Sequence, residues 1–92
     1  MEGDKYQGCW EAGYQKGDGI MEYHNGDVYE GNWENGERNG KGFYVWKSGE
    51  TYDGNWKDDQ MHGRGILKKR GKEFQVVFEE GALKEKRIVE SN

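Results

Sequence analysis

The sequence predicts an all-β, single-domain protein built from repeated antiparallel hairpins, and three observations support this fold class. Aromatic residues and glycines recur every 23 positions along the chain. Within each repeat, large side chains alternate with polar ones, which is the pattern of a half-buried strand. Dipeptides that favour tight turns, Asn25-Gly26 and Ser48-Gly49, separate the extended runs. Stacked hairpins satisfy all three observations.

The period divides residues 1–92 into three units and a partial fourth. The units span residues 6–28, 29–51 and 52–73, and a partial capping unit occupies residues 74–92. Each full unit opens with tyrosine, glycine and tryptophan at alternate positions: Tyr6, Gly8, Trp10; Tyr29, Gly31, Trp33; Tyr52, Gly54, Trp56. We expect an elongated solenoid, or meander, of about three and a half hairpin repeats.

The second unit shows what each segment does. In the first strand, YEGNW, Tyr29 and Trp33 point to one face of the sheet, with Gly31 between them. The segment ENGERN, residues 34–39, is then expected to form a wide loop. The second strand, GKGFYVW, divides its residues between two faces: Gly42, Tyr44 and Trp46 against Phe43 and Val45.

Glycines within strands, such as Gly31 and Gly42, are expected to leave room for a ring to lie flat on the backbone. Only 13 residues are Leu, Ile, Val or Phe, a share that favours disorder when net charge is high. The net charge is only −4, however, and 13 aromatic residues supply the missing apolar surface. We therefore expect a folded chain whose core is made of rings.

Both ends depart from the repeat. In the fourth unit Phe74, Val76 and Phe78 replace tyrosine, glycine and tryptophan, and Glu85 and Arg87 stand where the paired glycines are expected. Such a unit is typical of a cap. Residues 3–6 match the turn that precedes the second unit. We therefore expect either a fragment of a longer array or a very short natural protein.

Composition limits the function classes. Residues 1–51 carry 10 acidic and 5 basic side chains, which argues against binding of nucleic acid. One cysteine and two histidines cannot build a structural zinc site, and no apolar run is long enough to span a bilayer. We expect a soluble protein of the cytoplasm, with membrane or cytoskeletal structures as candidate sites of attachment.

The sequence contains no recognisable arrangement of catalytic residues. No base is repeated near Cys9 to activate its thiol, and His24 and His62 lie in turns or loops. Gly40-Lys41 is followed by glycine rather than serine or threonine, so it is not a phosphate-binding loop. We expect no enzyme activity and no cofactor or metal.

The recurring pattern YxGxWxxGxxxGxG resembles the MORN (membrane occupation and recognition nexus) repeat. The first two units fit it throughout, whereas the third has Asp59 in place of a glycine and is one residue short. The resemblance implies an elongated stack of β-hairpins with a curved or grooved aromatic surface. It also implies a scaffold or targeting role, with partner proteins, lipids or another copy of the chain as binding partners.

The leading functional hypothesis is a non-catalytic module that binds a peptide or helix of a partner protein through an aromatic groove. In the alternative, the same rings are simply the core. The groove residues under this hypothesis are Tyr6, Trp10, Tyr29, Trp33, Tyr52 and Trp56. Alanine at Tyr29 or Tyr52 would then weaken binding without unfolding the chain. The opposite face, with Glu30, Asn32 and Asp53, is expected to be solvated; in the alternative it receives a basic partner by electrostatic complementarity.

Three other roles stay open. The basic turn, defined as Lys68, Lys69, Arg70 and Lys72, could contact anionic lipid headgroups or merely aid solubility. The chain could be the targeting appendage of a larger enzyme. Its open N-terminal sheet edge could pair with another copy to form a homodimer, because an uncovered edge is a template for strand pairing.

Overall fold

The computed structural model describes residues 3–89, which form one open, entirely antiparallel sheet of eight strands. The strands are β1 (Lys5–Glu11), β2 (Tyr14–Glu22), β3 (Val28–Glu34), β4 (Glu37–Val45), β5 (Thr51–Lys57), β6 (Gln60–Lys69), β7 (Lys72–Glu79) and β8 (Ala82–Val89). Their order in the sheet is their order in the chain. The elongated body measures 45 × 23 × 21 Å. The predicted all-β meander is confirmed, although residues 90–92 of the predicted capping unit lie outside the described part.

The turns differ from the prediction. The wide loop expected over residues 34–39 is wrong, because Asn35 and Gly36, with φ of 51° and 82°, close the hairpin in two residues. Positive φ at both central positions matches the right-handed twist of the strands, and asparagine and glycine tolerate it well. Asn25 and Gly26 lie instead in the longer connection between hairpins, where the Tyr23 amide donates to the Asp27 carbonyl at 2.8 Å.

The buried rings lie on one face of the sheet, here called the core face and defined by Tyr29, Gly31 and Trp33. The Tyr29 ring covers Gly42 on the paired strand, where even a single Cβ atom would overlap it. Its hydroxyl donates to the Asn32 carbonyl at 2.8 Å. Tyr6 over Gly19 and Tyr52 over Gly65 repeat this arrangement. The prediction that strand glycines accommodate flat-lying rings is confirmed.

The tryptophans connect one hairpin to the next. Trp33 Nε1 donates to the Gly19 carbonyl at 3.2 Å, and Trp56 Nε1 donates to the Gly42 carbonyl at 3.4 Å. Each indole also meets the tyrosine ring of the preceding hairpin edge-on; for Trp33 and Tyr6 the centroids are 5.4 Å apart. Aromatic packing of this kind adds to the energy of area burial, so it couples neighbouring hairpins.

Each of the first three hairpins has a wide bulge. Gly31 pairs with Gly42 and Trp33 pairs with Arg38, which leaves residues 39–41 facing Asn32 alone. Gly40, at φ 99°, supplies a backbone angle that most side chains avoid. Asn32 Oδ1 accepts from the Lys41 amide at 3.2 Å and satisfies the unpaired backbone. The asparagine therefore supports the bulge.

The last hairpin lacks the wide bulge. Glu85 occupies the position of Gly40, and only one residue there, Lys84, falls outside the pairing. The register consequently shifts, so Lys86 faces Val76 where Arg87 was expected in place of a glycine. The Lys86 ammonium group lies 4.5 Å from the centroid of the Phe74 ring. The prediction for Arg87 was wrong because Glu85 stands where the wide bulge has glycine. A residue with a side chain does not easily adopt the left-handed backbone of that bulge, so the pairing moves by one residue.

Three buried tyrosines should make the fold sensitive to alkaline pH. Burial raises the pKa of Tyr52 from 10.0 to about 12, and burial also raises the pKa of Tyr29 and of Tyr44. The tyrosines of the unfolded chain titrate near 10.0, so the folded state holds more protons above that pH. Stability is therefore fully present below pH 10 and falls above it, by up to about 4 kcal/mol per pH unit.

Urea unfolding at a series of pH values, with tyrosinate absorbance as a second signal, measures this dependence. An unfolding free energy that stays constant from pH 10 to pH 12 would contradict the burial of these hydroxyls.

Candidate interaction surface

Four of the six predicted groove residues belong to the core. Tyr29 and Tyr52 are 0% exposed, and Trp33 and Trp56 are buried beside them. A bound partner cannot touch these side chains in this structure, so the assignment of all four to an open groove is wrong. The reason is that each hairpin covers the rings of its neighbour. The alternation of residues within one strand does not show this burial by the next hairpin.

The other two predicted residues lie at the N-terminal edge. Trp10 is 57% exposed, and Tyr6 is partly buried. Their rings meet edge-on with centroids 5.0 Å apart. Trp10 occupies the position of Trp33 and Trp56, but within residues 3–89 no hairpin precedes it. This edge therefore remains a candidate binding surface.

A charged pair that the sequence did not predict completes the core face. The Arg38 guanidinium lies 4.7 Å from the Trp56 ring centroid, and its Nε donates to Asp59 Oδ1 at 2.7 Å. Burial opposes the charge, but the bond to Asp59 more than offsets this, so the pKa of Arg38 is raised. Asp59 is the residue that replaces a repeat glycine, and Arg38 of the preceding hairpin holds it in place.

A second polar anchor lies in the connection between hairpins. Asp27 is buried, and its carboxylate accepts from the Tyr44 hydroxyl at 2.7 Å and from the Lys47 amide at 2.9 Å. Burial opposes ionisation of Asp27, but these hydrogen bonds, with one from Asn25, together lower the pKa of Asp27. The Arg38–Asp59 pair and the Asp27 carboxylate each hold neighbouring repeat units together.

Two adjoining hollows lie on the face opposite the core face, here called the groove face and defined by Ile20, Glu30 and Phe43. One hollow of about 580 Å³ is lined by residues that include all three. A larger one of about 950 Å³ lies towards β8 and is lined by residues that include Arg64, Ile66 and Arg87. Lys41 and Asp53 line both, so the two hollows adjoin. The simpler expectation, a solvated face, does not account for these hollows.

An apolar row runs across the groove face, formed by Ile20, Phe43 and Ile66. These residues are 23 positions apart and occupy equivalent places on β2, β4 and β6. Phe43 is 38% exposed, and the two isoleucines are partly exposed. Glu30 separates the first two in the pairing, and Asp53 separates the second two. The 23-residue spacing was a signal in the sequence that the emphasis on tyrosine and tryptophan missed.

Charge on the groove face changes sign along the body. The smaller hollow is lined by three carboxylates, those of Asp18, Glu30 and Asp53, and by one lysine, Lys41. The larger hollow has more cationic than anionic lining residues whose charge is not turned to the core face: Lys41, Arg64 and Arg87 against Asp53 and Glu85. A ligand that fits the whole face needs opposite charges at its two ends.

The basic turn is a compact exposed cluster. Lys68 and Lys69 end β6, Lys72 begins β7, and Arg70 lies in the turn between them. Lys69 pairs directly with Lys72 across the hairpin, so two like charges stand side by side. Among residues 3–89 none of the four forms an ion pair.

The MORN repeat model matches three consecutive stretches: residues 6–28, 29–51 and 52–71. These matches cover well over half of the chain, and each corresponds to one hairpin together with the connection after it. The chain belongs to the MORN repeat family. MORN repeats are generally interaction modules for proteins or membranes and form no enzyme site of their own. The comparison with curated proteins gives no match.

Two further features of the MORN domain bear on its partners. No helix within residues 3–89 is long and apolar enough to cross a membrane. The described residues also hold no group of three or more His, Cys, Asp or Glu side chains placed to bind a metal ion.

Proposed function

We propose that this MORN domain is a non-catalytic scaffold that holds one amphipathic helix of a partner protein against its groove face. The apolar row carries the proposal, because three hairpins present an apolar side chain at the same place inside adjoining hollows. The tyrosine and tryptophan rings of the core face serve this function indirectly, by fixing the hairpins relative to one another. The proposed binding site thus moves from the tyrosines and tryptophans to the groove face. The proposed role, a scaffold that binds a partner protein, is the one expected from the sequence.

The spacing of the apolar row favours a helix over a strand. Successive members lie two strands apart, which is roughly 10 Å at ~4.8 Å per strand. Seven residues of an α-helix rise about 10.5 Å and return to nearly the same face. Three residues of an extended strand also cover roughly 10 Å, but an odd step turns the side chain to the opposite face. A helix with apolar residues at every seventh position therefore matches all three contacts.

The change of charge sets the direction of the helix. Its basic end would lie over Asp18 and Glu30, and its acidic end over Arg64 and Arg87. Complementary charges of this kind favour one orientation and one class of partner, and salt weakens their effect.

Designed peptides test the proposal. We expect a helical peptide with leucine at every seventh position, one basic end and one acidic end to bind the domain in a fluorescence titration. Phe43→Ala should weaken binding by about tenfold or more, as expected for a central apolar anchor. Leu83→Ala is the matched control, because Leu83 is also an exposed apolar residue, 49% accessible, but pairs with Phe78 of the core face.

Two outcomes would overturn the proposal. One is equal affinity for a peptide of the same composition with its leucines scrambled. The other is equal weakening by Phe43→Ala and Leu83→Ala, which would place the contact elsewhere. Thermal melts of both variants check that neither substitution unfolds the domain.

The basic turn supports the alternative of peripheral attachment to anionic membranes, since its adjacent cations are exposed and unpaired within the described residues. Near a strongly anionic surface each contributes about 1 kcal/mol. Cosedimentation with phosphatidylserine vesicles that is lost with added salt and with Lys69→Glu would favour this role. Whether the domain serves as the targeting appendage of a larger enzyme stays a proposal, as does its location in the cytoplasm.

A further inference from the structure

The outer edge of β1 is able to pair with another strand, because the equivalent edges of two other strands in this chain do so. The equivalent edge of β3 pairs with β2 over six residues, Val28–Trp33, and that of β5 pairs with β4 over six residues, Thr51–Trp56. In both cases the pairing is continuous through the asparagine that faces the bulge on its other side, Asn32 in β3 and Asn55 in β5. The corresponding edge of β1, residues 5–10, has no partner strand within residues 3–89. Trp10 is exposed at this edge, whereas both of its equivalents are covered.

We propose that β1 pairs with β1 of a second copy of this chain, antiparallel and centred on Gly8, to form a two-fold symmetric dimer. The sequence KYQGCWE is complementary to itself about this centre. Lys5 faces Glu11 of the other copy, and Tyr6 faces Trp10. Each pairing occurs twice because of the symmetry. Opposite charges and aromatic pairs directly across two strands both stabilise a sheet.

The faces of the sheet restrict the register. Residues directly opposite each other point to the same side, so only a centre on a residue places both core faces together. A centre on Gln7 would set Trp10 opposite Asp4, and one on Cys9 would leave Lys5 opposite the turn residue Gly13. The centre on Gly8 keeps the charge pairs and the aromatic pairs together. It also continues the core face of one copy into that of the other.

The other end of the sheet is a poor partner for this edge. Trp33 and Trp56 lie against strands that carry glycine at alternate positions, as Gly17 and Gly19 do on β2. The outer strand β8 carries Glu85, Lys86 and Arg87 in the corresponding stretch. On the core face of that stretch Lys86 covers Phe74 and fills the space that an indole ring needs, whereas β1 offers Gly8 there. A closed dimer is therefore favoured over a head-to-tail filament.

A charge-reversal cycle tests the dimer and its register together. Sedimentation velocity over a range of concentrations should show a monomer–dimer equilibrium for the parent chain. Lys5→Glu, or Glu11→Lys, turns two attractive pairs into two repulsive ones and should raise the dimer dissociation constant by about tenfold. The double variant restores opposite charges at the same positions and should recover the parent value. Within the monomer Lys5 stands opposite Glu22, and Glu11 lies 3.4 Å from Lys16. Both are exposed surface pairs, which contribute little to folding, so the monomer should lose little stability.

Cys9 provides an independent reading of the register. In the proposed dimer Cys9 lies diagonally across from its copy, too far for easy disulfide formation but within reach of a short bismaleimide. We expect cross-linked dimer with the reagent and none with Cys9→Ser. A purely monomeric parent chain would overturn the proposal, as would a double variant as weak as the single ones. Rapid disulfide formation between the two cysteines would overturn the register centred on Gly8.

Discussion

Replacing Tyr29 with alanine is expected to lower the free energy of unfolding by about 3–5 kcal/mol, the usual cost of deleting a buried aromatic ring. The ring is 0% exposed and lies between Gly42 of its own hairpin and Trp56 of the next. Its removal leaves a cavity and also removes the hydrogen bond to the Asn32 carbonyl. Urea unfolding followed by circular dichroism measures the change.

Tyr14→Ala is the matched control for this result. Tyr14 is 57% exposed, so its loss should change stability by less than about 1 kcal/mol. Equal effects of the two substitutions would contradict the placement of Tyr29 in the core. Loss of partner binding by Tyr29→Ala would report unfolding, contrary to the hypothesis that this variant folds normally and loses only a contact.

Gly42→Ala is expected to destabilise the domain by at least about 3 kcal/mol, which is large for a single added methyl group. A Cβ atom at Gly42 would overlap the Tyr29 ring, and that ring cannot move away because the edges of Trp33 and Trp56 hold it. The added atom therefore displaces a core residue shared by two hairpins. Thermal and urea unfolding should both show the loss.

Gly13→Asn is the corresponding glycine control. Gly13 has a φ of 85°, and no atom beyond its two chain neighbours would lie within 4 Å of an added Cβ. Asparagine tolerates this backbone region, so the cost should stay below about 1 kcal/mol. If Gly42→Ala were as mild, the close contact between ring and backbone would be wrong.

The sequence predicts much of this fold because the repeat states the same local rule several times. Alternation in YEGNW correctly places Tyr29 and Trp33 on one face, and the glycine at position 42 correctly indicates a ring lying on the backbone. Both inferences depend on contacts within one hairpin. The two-residue period of a strand is sufficient for the first inference, and the absence of a side chain on glycine is sufficient for the second.

The sequence could not show how far the rings are covered. Burial of Tyr52 depends on Phe78 of the following hairpin and on Trp56 beside it, and that geometry arises only when the hairpins stack. The turn at Asn35-Gly36 differs from the prediction for another reason: Glu37 and Arg38 have no apolar side chain, although they pair with Glu34 and Trp33 as strand residues. Arg38 is the extreme case, since a charged residue in a polar stretch becomes part of an aromatic core once Asp59 is near.

The sequential order of the strands has a kinetic consequence. Every pairing joins segments that are neighbours along the chain, so no pairing requires the closure of a long loop. Folding can therefore begin at one central hairpin and spread by adding neighbours in either direction, and it should be fast for an all-β chain. The same order means that unfolding begins at the ends, where a hairpin has one neighbour instead of two.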